Sequence, residues 1–205
     1  MEALYNNIPS IISAIGVIVA AYFSYNQYTK NKKADLKIEQ FKQEEEAKSL
    51  RRADNSAIIF GELWKILHET HADRVYILQP HPLGNECYVS VYYEVKRKGI
   101  EPIKPHAHDL RISEIAKFSS DLVKNICLTI TDANDQLIDK FARSLFISNG
   151  CKSAIIYRMN NNVYDWVGSI FCEFMQPFDE TEVPEMTKVI SETATYIQYL
   201  LPEYK

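Results

Sequence analysis

Three patterns of hydrophobic and polar positions follow one another along the chain. From Ile8 to Tyr25 eighteen residues, IPSIISAIGVIVAAYFSY, carry no charge. Such a run predicts a helix at the short end of what crosses a hydrocarbon core of roughly 30 Å at about 1.5 Å per residue. Continuing through Tyr28 gives the expected single span, residues 8–28, inside an anchor region 1–29. Pro9 suits a first helical turn, where its missing N–H is no loss, and Tyr5, Tyr22, Tyr25 and Tyr28 fall where interfacial aromatics hold a span. A cleaved leader fits less well, because Glu2 is the only charge ahead of the run. The other reading is a buried core helix, packed through Ser10, Ser13, Gly16 and Ala20.

The second pattern, a stalk over residues 30–54, has no Gly or Pro and interleaves Lys, Glu and Arg at helical spacings. It predicts a solvated helix. Leu36, Ile38, Phe41, Ala47 and Leu50 hold no clean heptad, so a coiled coil does not follow from it.

The third pattern, residues 55–205, changes period repeatedly. A helix starting near Asp54 or Asn55, or continuous with the stalk, carries the stripe Ile58, Ile59, Leu63, Ile66 and Leu67. Arg74 to Gln79 alternates as a strand, PHPLGN at 80–85 has turn chemistry, and Cys87 to Lys96 is a second strand. Helices are expected from about Ile112 to Asn125 and from about Asp132 to Ser148, the latter ended by Asn149-Gly150. Cys151 to Met159 and Tyr164 to Phe174 read as a second hairpin, and Asp179 caps a last helix that runs toward Pro202. Two hairpins separated by a helical middle and framed by helices make an α+β layout, a central antiparallel sheet with flanking helices.

Charge sharpens this picture. Lys plus Arg number 23 against 27 Asp plus Glu, a net charge of -4, so the basic surface that nucleic-acid binding needs is missing. Lys30, Lys32, Lys33 and Lys37 follow the apolar run while no Lys or Arg precedes it, which orients a signal-anchor with its C-terminal body in the cytoplasm. The four cysteines, Cys87, Cys127, Cys151 and Cys172, form no CxxC pair and suit a reducing compartment.

The phrase LHETHADRVYILQPHPLGN, followed about ninety residues on by KSAIIYRM and DWVGSIFCEF before a terminal helix, resembles a GAF domain over about residues 50–202. Ala72-Asp73-Arg74 at the first strand and Val167-Gly168 before the last carry the resemblance best. It implies a sheet of five or six antiparallel strands between a terminal helix pair and a helical, ligand-covering segment, and with it small-molecule sensing or protein dimerisation. The signatures of the better-defined branches are missing. Phe178-Asp179-Glu180 is contiguous and sits at a helix start, unlike the spaced cyclic-nucleotide signature, and neither the bilin motif nor the methionine-sulfoxide-reducing cysteine set maps onto this chain. No cofactor is implied.

The sequence holds no GxSxG, HExxH, P-loop or GxGxxG, so no catalytic residue is expected. His68 and His71 stand i, i+3 near Asp73, and His106 and His108 lie in PHAHD, but exposed histidines at a helix end and in a loop explain them without a metal. Any pocket should lie under the middle segment Gly99 to Thr131, lined by Tyr76, Tyr92 and Trp166 from strands with His106 and His108 from the loop. Plain packing is the competing account of those aromatics. The expected function is a non-catalytic, membrane-tethered sensory or protein-interaction module. It would touch lipid through residues 8–28, pair as a homodimer, and take a small ligand or a protein partner. The alternative is a structural or membrane effector of the phage or bacterial holin-regulator kind, whose body serves only for docking.

Overall fold

The computed structural model describes residues 8–85 and 87–202, with the backbone alone at 8–15 and 17–21. The chain divides into two compact units, Met1–Arg51 and Arg52–Lys205.

Helix α1 runs without a break from Ile8 to Glu69, 62 residues. The new start considered at Asp54 or Asn55 does not occur. Nothing in that stretch interrupts the ladder, and the Asn55 side chain donates outward to the Leu200 carbonyl at 3.2 Å. Tyr22, Phe23, Tyr25 and Tyr28 are exposed. No helix among the described residues is long and apolar enough to cross a membrane. Most side chains of the expected span lie outside those described, as do Glu2 and Tyr5.

In the second unit α1 buries Ile59, Leu63, Ile66 and Leu67. Ile58, expected in that stripe, is exposed, because one residue turns the side chain about 100° around the axis. The helix ends where Thr70 Oγ1 bonds back to the Ile66 carbonyl at 2.7 Å and His71 turns left-handed, φ 57°.

Six strands follow: β1 (Arg74–His81), β2 (Tyr88–Lys96), β3 (Leu110–Arg111), β4 (Cys127–Ile130), β5 (Ser153–Met159) and β6 (Gly168–Phe174). They form one antiparallel sheet in the order β3-β2-β1-β6-β5-β4. The β1–β2 and β5–β6 hairpins meet along β1 and β6, with Arg74 opposite Glu173 and Leu78 opposite Ser169. β1 is therefore hydrogen-bonded along both edges, and with a core packed on each face only its last residue escapes burial. In the β1–β2 ladder the register slips between Ile77 and Leu78, so that Tyr92 is the extra residue of a bulge.

Between the hairpins the chain crosses one face as a 3₁₀ turn (Ile112–Ile115), α2 (Ala116–Lys124), α3 (Ala133–Gln136) and α4 (Lys140–Ser148). The single helix expected over 132–148 is thus two. Asp132 caps α3 and Asp139 caps α4, each accepting from two backbone N–H groups, so the second aspartate starts a new helix where one was expected to continue. β3 and β4 bring the pattern's four strands to six, within the five or six that the resemblance implies, and both are too short for alternation to place them. Tyr164 to Val167, expected in a strand, is loop, because Asn161 Oδ1 takes the N–H groups of Val163 and Tyr164 at 2.8 and 2.6 Å. Asp179 caps a short 3₁₀ turn at Glu180–Glu182, and α5 (Val183–Ile197) follows it.

The sheet separates two cores. Val75, Ile77, Ile170 and Cys172 pack on α1 and α5, while Tyr76, Leu78, Ile156 and Phe171 pack under the crossing segment.

Candidate functional site

The side of the sheet under the crossing segment has an aromatic floor. Tyr76 and Phe171, on neighbouring strands, stack with centroids 4.8 Å apart and planes 12° from parallel. Phe118 from α2 and Phe146 from α4 tilt onto Phe171 at 6.2 and 6.3 Å. Strand alternation puts Tyr76 and Leu78 on this face, and the amphipathic α2 and α4 turn their buried residues toward it. The space between floor and cover is about 20 Å³, bounded by Tyr76, Leu78, Ala107, Phe118, Ala142 and Phe171 among others. That holds about one water, against the roughly 300–1,000 Å³ of sites for drug-sized ligands. The face is covered and packed.

At the same face the next alternate positions are charged. Arg74 donates from Nε and Nη2 to Glu173 Oε2, Tyr76 donates its hydroxyl to Glu173 Oε1 at 2.6 Å, and Arg74 Nη1 reaches the Glu101 carbonyl at 2.6 Å. Burial pushes the Glu173 carboxyl above its ordinary value, with Arg74 and Tyr76 pulling it back. Burial also drives the Tyr76 phenol well up. For Arg74 desolvation is the largest effect and acts downward, but Glu173, Tyr76 and Cys151 together outweigh it and leave the guanidinium raised. Both oxygens of Glu173 are taken by neighbours, so the group ties the crossing segment to the sheet and has no oxygen left to act as a base. Cys151, buried beside it, donates to the Ser153 carbonyl at 3.3 Å, and burial raises its thiol far above the ordinary range. It is an inert core thiol.

A second polar group lies where β1 ends. His81 Nε2 is 2.9 Å from Ser90 Oγ and 3.2 Å from Asp109 Oδ1, the Asp109 N–H donates to Ser90 Oγ at 2.8 Å, and His108 Nδ1 meets Asp109 Oδ2 at 3.0 Å. The residue types are those of a hydrolytic triad, but serine and aspartate share one nitrogen of His81. The aspartate therefore does not orient the ring from its far side, as an activated nucleophile requires. The cluster fastens the 103–111 loop to the hairpin.

Of the residues expected at a pocket, Tyr76 lines the covered cavity. Trp166 is buried in the same core and donates Nε1–H to Ser169 at 3.1 Å. Tyr92, at the bulge, packs on the opposite core and is raised by burial, with Ser90 as its hydrogen-bond partner. His106 and His108 are exposed. Sequence reading missed Phe171, Phe118, Phe146 and Glu173, and strand alternation through IFCEF was the signal that pairs Phe171 with Glu173 on one face. His68 stacks on Trp64, and among the described residues no three of His, Cys, Asp or Glu come together to hold a metal.

No family model and no curated protein match the sequence. Solved structures do. The blue-light-absorbing form of the PixJ GAF domain of Thermosynechococcus elongatus superposes with a TM-score of 0.56 at 15% identity, over 73% of this chain and 88% of that one. A GAF domain/HD domain protein of Geobacter sulfurreducens gives 0.54 at 14%, over 73% and 95%. The phycocyanobilin-bound GAF domain of a cyanobacterial phytochrome gives 0.53 at 18%, over 71% and 85%. The chain has the GAF fold.

Proposed function

We propose that this chain is a non-catalytic GAF-like sensory or protein-interaction module, tethered to a membrane by residues 8–28 and paired as a homodimer. The observation that carries the sensory reading is the covered sheet face: an aromatic floor, a roof of two short helices, and polar groups already satisfied by neighbours. One similar structure is a phycocyanobilin-bound GAF domain. A space of about 20 Å³, room for about one water, takes no tetrapyrrole, so any ligand here enters as the roof lifts. The tether rests on the uncharged run Ile8–Tyr25 and the lysines after it.

The second reading, a structural or membrane effector whose body serves docking, draws on how completely that same face is filled. Native mass spectrometry of the full chain, released from detergent micelles, separates the two. Retained extra mass that disappears in Phe171→Ala supports sensing. A clean apo mass, also after incubation with cell extract metabolites, moves the assignment to docking.

A further inference from the structure

We infer that the body carries a second small-molecule site, away from the covered face, at the end of the sheet where β1 meets the β5–β6 loop and the segment after α5. Its ligand is uncharged and donates an N–H or O–H hydrogen bond to Gln79 Oε1.

The site is a cavity of about 220 Å³ with Gln79 at its wall and Leu83, Val163, Val167, Tyr199 and Leu201 around it. The described residues that line it bear no charge, which excludes an ion as the occupant the walls would select. Its size falls short of drug-sized sites of roughly 300–1,000 Å³ and suits a metabolite-sized molecule.

Gln79 is fully buried near the end of the central strand β1, one residue past its last pairing with β6, an unusual place for an amide. Its Nε2 donates to the carbonyls of Val167 and Pro202, both at 3.4 Å, which fixes which end of the amide is which. Oε1 is then left buried with no partner among the described residues. A buried acceptor left bare is costly, so the position calls for a donor. Two neighbouring amides at the cavity, Asn161 and Gln198, spend their oxygens on the backbone. Asn161 Oδ1 holds the loop through Val163 and Tyr164, and Gln198 Oε1 takes the Asn160 N–H at 3.3 Å. Arg158 Nε and Asn160 Oδ1 are also buried and bare, but they are not among the cavity's walls. Gly168 keeps the amide in place by being small: a Cβ there would stand 3.0 Å from the Leu78 carbonyl and 3.2 Å from Gln79 Cγ. Acceptor, apolar walls and Tyr199 together describe a pocket for a flat, neutral donor such as a lactam, carboxamide or heterocyclic N–H.

The test titrates the full chain with uracil, nicotinamide and 2-pyrrolidone, with benzoate and benzylamine as charged controls, read by saturation-transfer NMR. At least one neutral probe should bind. Gln79→Met, which keeps the length and removes the acceptor, should weaken it at least tenfold. Val163→Trp, at an exposed loop position, should block the cavity and abolish binding with the melting temperature unchanged. The second variant decides the matter if the first does not fold. The site is overturned if no neutral probe binds, if the charged controls bind equally well, if both variants that fold bind as wild type does, or if binding is lost instead on filling the covered face with Ala142→Leu.

Discussion

Arg74 and Glu173 are both without solvent exposure, and each satisfies the other only because the sheet brings β1 and β6 side by side. Removing one partner strands a buried charge, so Arg74→Met should cost about 3–5 kcal/mol in denaturant unfolding. Arg74→Met with Glu173→Leu should cost less than the two single changes added together. The thiols differ on the same grounds. Cys151 and Cys172 are buried and raised by that burial, whereas Cys87 is exposed, so Ellman's reagent at neutral pH should titrate Cys87 in the native chain and reach the other two only on unfolding. Residue-level legibility was uneven for a physical reason. Tyr76 could be chosen from its strand position, but Glu173 and Gln79 take their meaning from neighbours far along the chain, and a single sequence does not display those.

Among the elements, caps decide boundaries. Asp139 starts α4 by accepting from the N–H groups of Phe141 and Ala142 at 3.1 and 3.2 Å, so Asp139→Ala should cost about 1 kcal/mol, measured by thermal unfolding. Asp179 is held below its ordinary value of 3.8 by the Thr181 backbone N–H. Its folded value lies under its unfolded one, so its stabilisation is complete above about pH 4 and is lost as pH falls through the folded value. The melting difference between wild type and Asp179→Ala should therefore shrink between pH 7 and pH 3. Long periodic elements are readable: RVYILQ as a strand, the α1 stripe, and the last helix after Asp179. CLTI was not, since four residues between two helices give alternation no room, and it became an edge strand only by pairing with β5 from Cys127↔Tyr157 to Ile130↔Ala154.

For the whole molecule the expectation concerns where it resides. The full chain should float with anionic vesicles in a density gradient, and deletion of residues 1–28 should release it. Flotation that survives the deletion would remove the tether from the proposal. The order of helix, hairpin, crossing segment, hairpin and helix was legible because each piece has its own period. Its division into two cores came only through the GAF resemblance, since periodicity does not say which strands meet across the long crossing.

That meeting has a consequence for synthesis. β1 lies between β2 and β6, and the ion pair that joins β1 to β6 links residues 99 positions apart. At roughly 5–20 residues per second, a ribosome needs about 5–20 s to make the partner after β1 appears. Through that interval β1–β2 presents one unpaired edge and two apolar faces, a surface prone to the wrong partner. Nascent chains stalled before Phe171 should thus be bound by chaperones and cut by protease, and chains stalled with β6 outside the ribosome should resist both.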